Sequence, residues 1–382
     1  MDPDLDEVWV DGVRSSLVGW FRESARPLPW RRDRDPYRVL VSESMLVQTT
    51  VKAVVPHFER FTARFPDFES LAAADVEDVV KAWEGLGYYR RARQLHAAAS
   101  RIARDFGGLM PDDPGVVRDL PGVGRYMAGA ILSFAFDRPQ PIVEANSERV
   151  IARLLALRGD TRTGAVRERI WQAAQRMVPP REAGRFNQAL IELGALVCSP
   201  RRPACLVCPL TSYCRARGAG LEQAIPEPRV KAPPLAVVEA CAIVSQGGLV
   251  LVVQRGSGGL WERFWEFPTV HVEGADPGGR SSIGPVDLSS GLPLLTGVQA
   301  RIGSSVRTIR YSVTKHRVEL RAHEGEAVSG ELRPGPGLID ARWVDPRSLA
   351  SLTMSSASRR LATWVAKEAL DREGEAPGRA SQ

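Results

Sequence analysis

Two carboxylates and four thiols carry the chemistry that this sequence can support. Glu43 falls on the apolar stripe of Leu40, Val47, Val51, Val54 and Phe58, spaced as on one amphipathic helix over residues 37–58. A carboxylate where the pattern expects an aliphatic group is partly desolvated, which raises its pKa and lets it hold a proton near neutral pH. The competing reading is a helix-edge glutamate paired with an arginine. Glu144 ends the extended run 139–145, and Asn146 reads as the cap of a helix bearing Val150, Ile151, Leu154 and Leu155. At or just outside a helix N-terminus the positive end of the dipole keeps a carboxylate ionised; capping support alone is the other reading. One protonated and one ionised carboxylate are what acid-assisted glycosidic cleavage requires. The first assists departure, and the second stabilises or attacks an oxocarbenium-like centre.

Cys198, Cys205, Cys208 and Cys214 are separated by six, two and five residues. In a chain without secretory features, that quartet points to metal rather than disulfides. Spacing leaves zinc and a [4Fe–4S] cluster both open. The fifth cysteine, Cys241, stands in an apolar strand-like run and reads as an inert buried thiol.

Leu120-Pro121-Gly122-Val123-Gly124 lies between two helix-like runs, the first opened by Asp113-Pro114 and the second, 126–136, small and apolar. The glycines allow a tight turn and bring backbone N–H groups within reach of an anion such as a DNA phosphate. Tyr88-Tyr89-Arg90-Arg91, just after Gly85 and Gly87, mixes aromatic faces with guanidinium groups and suits stacking on bases.

The elements that must position these groups follow from length and periodicity. A chain of 382 residues, 44% apolar, exceeds one ordinary core and predicts two domains. No apolar run is long enough to cross a bilayer, and the acidic start 1–11 is no signal peptide, so a cytoplasmic protein is expected. The net charge of +6, dominated by arginine, is compatible with a polyanionic partner. Helical patterns cover 8–21, 37–58, 68–106 with breaks at Gly85 and Gly87, and 166–197; a polar loop, 22–35, carries Arg26, Trp30 and Arg31. Residues 218–234 read as a linker. Strand-like runs follow at 237–245 and 249–254, joined at Gly247-Gly248, and at 305–313, 317–321 and 341–344. A helix over 356–370 precedes a tail, 371–382, expected to be disordered. The stretch 271–294 suggests no role.

Taken together, the chain resembles the adenine DNA glycosylase family, the MutY type of the endonuclease III helix-hairpin-helix superfamily. The resemblance rests on Leu28-Pro29-Trp30-Arg31, Ser42-Glu43 with Met45-Leu46, Gly85-Leu86-Gly87-Tyr88-Tyr89, Leu120 to Gly124 and the cysteine quartet. Downstream it rests on Gly259-Leu260-Trp261 and Trp265-Glu266-Phe267-Pro268, which look like that family's Nudix-like domain. It implies a multidomain α and α+β fold: an all-helical glycosylase domain over 1–222, a linker over 223–235 and a Nudix-like lesion-recognition domain over 236–370. Within the first domain, a six-helix barrel would span about 29–137 and a cluster subdomain 1–28 plus 138–222. By resemblance, Cys198, Cys205, Cys208 and Cys214 bind a [4Fe–4S] cluster. Glu43 protonates an adenine flipped out of a mispair with 8-oxoguanine or guanine in double-stranded DNA, and Glu144 is the second carboxylate. Tyr126, where bifunctional relatives have a Schiff-base lysine, implies a monofunctional enzyme, and Asn146 joins the catalytic set. Arg26, Trp30, Arg31, Leu46, Gln48, Tyr88, Gln188 and Thr314 would read the base and lesion, and Leu120, Gly122, Val123 and Gly124 the DNA backbone. A monomer in the bacterial cytoplasm, nucleoid-associated and without membrane contact, is expected.

This chain departs from the family pattern at the pocket. Glu144-Ala145 stands where Asp-Gly is common, Gln188 where Glu is common and Val47 where Gln is common. Val313-Thr314-Lys315 replaces the common Phe-Ser-His of the lesion reader. A mismatch thymine or uracil glycosylase of the same superfamily and a catalytically impaired lesion binder are the alternatives. Pyrophosphohydrolase activity in the C-terminal part is rejected, because no dense acidic helix follows Pro268 to hold magnesium.

Overall fold

Carboxylate and hydroxyl caps start most helices of the first half. Asp6 accepts from the Trp9 N–H ahead of α1 (Glu7–Ser24), Asp35 from Tyr37 ahead of α2 (Pro36–Leu46), and Thr50 from Ala53 ahead of α3 (Val51–Arg64). Then come α4 (Phe68–Ala73), α5 (Val76–Ala82), α6 (Arg90–Phe106), α7 (Pro114–Arg118), α8 (Arg125–Phe136), α9 (Ala145–Leu154), α10 (Gly164–Met177), α11 (Ala183–Leu196) and α12 (Arg215–Gly218). The computed structural model describes residues 6–161, 163–227, 232–274 and 286–374. The chain divides into two compact units, Met1–Val230 and Lys231–Gln382.

In the first unit α8 is buried from Met127 to Phe134, as its uniformly apolar composition requires, and α11 packs against it and against α9. A core of α1, α9, α10 and α11 side chains, with Leu17, Ile151, Trp171 and Phe186 fully or nearly fully buried, holds the C-terminal half of this unit together. Three helical expectations need correction. The stripe over 37–58 is not one helix: Gln48 has φ +59°, a left-handed conformation, and the chain restarts at the Thr50 cap. The run 166–197 likewise divides into α10 and α11, and 22–24 belong to α1 rather than the loop. Ile225, assigned to the linker, is buried in the first core, while Leu235 already opens the first strand. Residues 228–231 lie outside the described residues.

The second unit is a seven-stranded sheet between helices. Its elements are β1 (Leu235–Gln246), β2 (Leu249–Arg255), β3 (Trp265–Glu266), β4 (Thr269–Gly274), α13 (Leu288–Thr296), β5 (Gln299–Val313), β6 (His316–Ser329), β7 (Leu338–Val344) and α14 (Ser356–Gly374). The order is β3-β2-β1-β6-β5, with β4 paired to β1 and β7 to β2. Among the described strands, only β1 and β6 pair in parallel; the remaining pairs are antiparallel. Cys241, Ile243, Ile309 and Leu320 point to α14, while Ala240, Ala242, Val244 and Leu251 point to α13, so each face of the sheet has its own core. The stretch 271–294 thus contains the end of β4 and most of α13; 275–285 lie outside the described residues. α14 continues to Gly374, through the first residues of the expected disordered tail, and 375–382 lie outside the described residues. Among the described residues, no helix is long and apolar enough to cross a membrane.

Candidate active site

A cavity of about 990 Å³ in the first unit is lined from α2, α8, α9, α11 and the loop 25–34. α2 carries Glu43 into it. Almost every side chain of this short helix is buried, and Glu43 is only 5% exposed. The Tyr126 hydroxyl, from α8, donates to Glu43 Oε2 at 2.5 Å. Burial pushes the Glu43 carboxyl up to about 7; the Tyr126 bond and the Arg31 charge oppose that rise, and the nearby Glu144 adds to it. Burial also holds the Tyr126 phenol well above its ordinary range, with both carboxylates reinforcing the effect. Tyr126 is therefore a neutral donor.

Glu144 is the N-cap of α9. It accepts from the N–H groups of Asn146 (2.9 Å) and Ser147 (2.8 Å), and its own N–H donates to Ser147 Oγ at 2.8 Å, completing a capping box. Two expectations change here. The cap is Glu144, and Asn146 lies inside the first turn, where its side-chain amide donates to Glu144 Oε2 at 3.2 Å. The Glu144 pKa is raised, not held down: desolvation outweighs the cap hydrogen bonds and Arg149. Glu43 is buried and Glu144 half-buried, and the two are distinguished by one phenolic donor against a helix terminus.

Trp30, Leu46, Val47, Gln48 and Gln188 also line the cavity, Trp30 packing edge-on to Phe58 at 5.3 Å. Val47 is exposed there, since the helix has ended. Gln188 has no hydrogen-bond partner among the described residues, so its amide is open to a ligand. Arg26 and Arg31 line the cavity too, but their guanidinium groups are committed to Glu192 of α11, at 2.7 and 2.8 Å from Arg26 and 3.0 Å from Arg31. Burial alone would push the Glu192 carboxyl up, but the hydrogen bonds from Arg26 and Arg31 hold it down at about 2. In this structure both arginines thus brace the loop against α11. Two further candidates lie outside the cavity. Tyr88 is 55% exposed with φ +49°, its ring under the Arg91 guanidinium at 5.2 Å. Thr314 occupies the β5–β6 turn of the second unit at φ +51°, its hydroxyl 3.1 Å from His316 Nδ1.

The hairpin buries Leu120 and Val123 and turns at Gly122, φ +76°, where a Cβ would sit 2.8 Å from the Gln94 Cβ. Gly124 caps α8 without a side chain, leaving the helix's first-turn N–H groups open to an external anion.

Three groups escaped the sequence reading. Glu192 pairs across 161 to 166 positions. Ser147 completes the box. Arg149, 8% exposed, donates to Asn146 Oδ1 (3.0 Å), Gly194 O (2.7 Å) and Cys198 O (2.8 Å), tying the start of α9 to α11 and to the first cysteine. No local pattern marks such partners. Gly194 permits this approach, since a Cβ there would lie 2.6 Å from the Asn146 Cβ. Gly194→Ala is expected to overpack the contact and cost about 1–3 kcal/mol. Its melting temperature should fall, and base release with it, because the displaced turn is the one that holds Glu144.

All five cysteines are free, and Cys241 is buried as expected. Cys198 accepts from Arg153 Nη1 at 3.2 Å and lies within electrostatic reach of Cys205, Cys208 and Cys214. Burial raises the pKa of those three, Cys208 to about 11. Among the described residues, no group of three or more His, Cys, Asp or Glu is gathered to hold a metal ion.

Comparison with known proteins agrees with this geometry. Residues 41–176 match the HhH-GPD superfamily of base excision DNA repair proteins, and 239–364 match the NUDIX domain. Over 92% of its length the chain is 32% identical to an adenine DNA glycosylase of Rattus norvegicus, spanning 77% of that protein. The chain belongs to the adenine DNA glycosylase family. A Homo sapiens member is 32% identical over 93% of this chain and 74% of its own length. A Mycobacterium tuberculosis adenine DNA glycosylase is 41% identical over 59% of this chain and 75% of its own length. The helical half also superimposes on a thermostable thymine-DNA glycosylase, with TM-score 0.51 and 29% identity, covering 56% of this chain and 98% of that one. Family membership joins both units in one enzyme, a DNA N-glycosylase with a helical domain followed by a Nudix-like α/β domain.

Proposed function

We propose that this glycosylase flips adenine out of a mispair with 8-oxoguanine or guanine and removes it hydrolytically, without cutting the strand. The observation that carries the reading is the buried Glu43, with its carboxyl raised to about 7 and bound by Tyr126, facing the same cavity as Glu144. Protonated Glu43 donates its proton to a ring nitrogen of adenine as the glycosidic electron pair moves into the base. The carboxylate of Glu144 stabilises the oxocarbenium-like sugar, and water then adds to the anomeric carbon and loses its proton to that carboxylate. Asn146 aims Glu144, and Gln188 offers the base a donor and an acceptor. No lysine lines the cavity among the described residues, which suits a monofunctional enzyme. Tyr88, Thr314 and the amides from Gly122 to Gly124 are assigned to the duplex around the lesion, acting as a monomer on DNA in the cytoplasm.

The barrel is assigned to 29–137 and the cysteine subdomain to 1–28 plus 138–222. The donor set there, four thiols in mutual electrostatic contact beside Arg149 and Arg153, fits a [4Fe–4S] cluster held by Cys198, Cys205, Cys208 and Cys214. When bound, such a cluster supplies iron–thiolate bonds that cross-link the loop. Because burial raises the pKa of Cys205, Cys208 and Cys214, binding a cluster there releases protons.

The test is single-turnover base release from a duplex with one adenine opposite 8-oxoguanine, with and without alkali. Cleavage at adenine that depends on alkali is expected. Preference for thymine opposite guanine would favour the alternative glycosylase, which Gln188 and the structural likeness make the second reading.

A further inference from the structure

The β5–β6 ribbon is polarised along its length. Near its turn the register pairs Ser312 with Arg317, Arg310 with Glu319 and Thr308 with Arg321, which sets all six side chains on one face of the sheet. That face continues onto β1, where Ala236, Val238 and Ala240 pair with Arg317, Glu319 and Arg321. Its turn half thus carries Arg310, Arg317 and Arg321, with Lys315 in the turn itself, against Glu319 and, beyond Val238 on β4, the exposed Glu273. The far half of the same ribbon balances Arg301 and Arg307 with Glu324 and Glu326.

The arginines are presented rather than buried. Arg310 and Arg321 side chains are 76% and 48% exposed, and both lean on Glu319, at 3.0 and 2.9 Å. One carboxylate between two guanidinium groups fixes their directions and leaves an excess of positive charge. Arg317 is exposed and has no partner among the described residues. Along β6 the arginines are four residues apart, about 13 Å, with Glu319 midway. The centre of the face, Ala236 and Val238, is low, so a flat polyanion can approach it.

We propose that this face is a phosphate-binding platform for the backbone of duplex DNA, separate from the turn residues that meet the lesion. The inference rests on the reading that the chain acts on DNA. Guanidinium groups suit phosphate oxygens, and such contacts carry no sequence information. The platform strengthens binding to matched and mispaired duplexes alike.

The experiment measures the dissociation constant of the full chain for a matched duplex and for one with adenine opposite 8-oxoguanine, across a salt series. The triple variant Arg310→Gln, Arg317→Gln, Arg321→Gln is compared with Glu319→Gln and with a control, Arg301→Gln, at the far end. For the triple variant, binding should weaken on the order of tenfold, by the same factor on both duplexes. Its log–log salt slope should shrink by about one for each phosphate that is no longer neutralised. Glu319→Gln should tighten binding, and Arg301→Gln should leave it in place. The proposal is overturned if the triple variant, folded by circular dichroism, keeps the wild-type slope and affinity, or if only the mispaired duplex is affected. Base release by the wild-type protein is scored on the same duplex. Its absence would strike the proposed reaction and leave the binding comparison standing.

Discussion

Glu43→Gln is expected to slow base release by about 10²–10⁴-fold at saturating DNA while leaving duplex binding within a small factor, because the amide fills the same space but has no acidic proton to give. The buried position and the Tyr126 bond are retained, so the loss falls on the chemical step. For the wild-type protein, single-turnover rates should decline as pH rises through about 7, where Glu43 loses its proton, and fall again under acid, where the Glu144 carboxylate takes one up. The same group sets a stability signature in the same direction. Its folded pKa, about 7, lies above the unfolded value, so its contribution is fully present below about 4.5 and is lost as pH rises through 7. At about 1.4 kcal/mol per tenfold change in proton affinity, the loss reaches about 3 kcal/mol. Glu43→Gln should therefore melt at a higher temperature than wild type at pH 8 and close to it at pH 5. Equal melting at both values, or unimpaired base release, would remove Glu43 from the role of acid.

Glu192→Ala is expected to give the largest loss of stability. It strips the shared partner from Arg26 and Arg31, whose side chains are only 34% and 14% exposed, and leaves both cations facing a desolvated helix face. Breaking a buried pair on one side costs about 3–5 kcal/mol, or roughly 6–20 °C in melting temperature for a unit of this size. Because the Glu192 pKa is lowered to about 2, its contribution is present above the unfolded value near 4.5 and is lost as pH falls through 2. The difference between wild type and variant, followed by thermal melting, should therefore narrow under strong acid. A variant as stable as wild type at pH 7 would show that the triad holds nothing in place.

The contrast between these two glutamates explains what was legible in the sequence. Glu43 announces itself locally, as a carboxylate on an apolar stripe, and burial does the rest. Glu192 is equally buried, but nothing local marks it, because its partners Arg26 and Arg31 arrive from the other end of the domain. Helix existence was readable from caps and spacing, whereas the break at 47–50 was not. Val47 and Val51 continue the spacing of the stripe, and only the left-handed Gln48 ends it. The Glu144 terminus was placed within two residues, yet its proton affinity came out reversed, since desolvation by a folded cavity has no local pattern. In the second unit, long strands with turn glycines were visible, but β3, two residues long, exists only through its pairing with β2.

The capping box at Glu144 bears on how this enzyme fails. The oxygen that terminates the helix ladder belongs to the same carboxylate to which we assign the sugar. Serine, threonine, asparagine and aspartate all cap helices about as well. A lineage drifting from Glu144 to asparagine would thus keep its melting temperature, its expression level and its grip on DNA while forfeiting repair. Screens that sort variants by abundance or solubility would pass such an allele as healthy, and only an assay of the abasic product would expose it as a mutator.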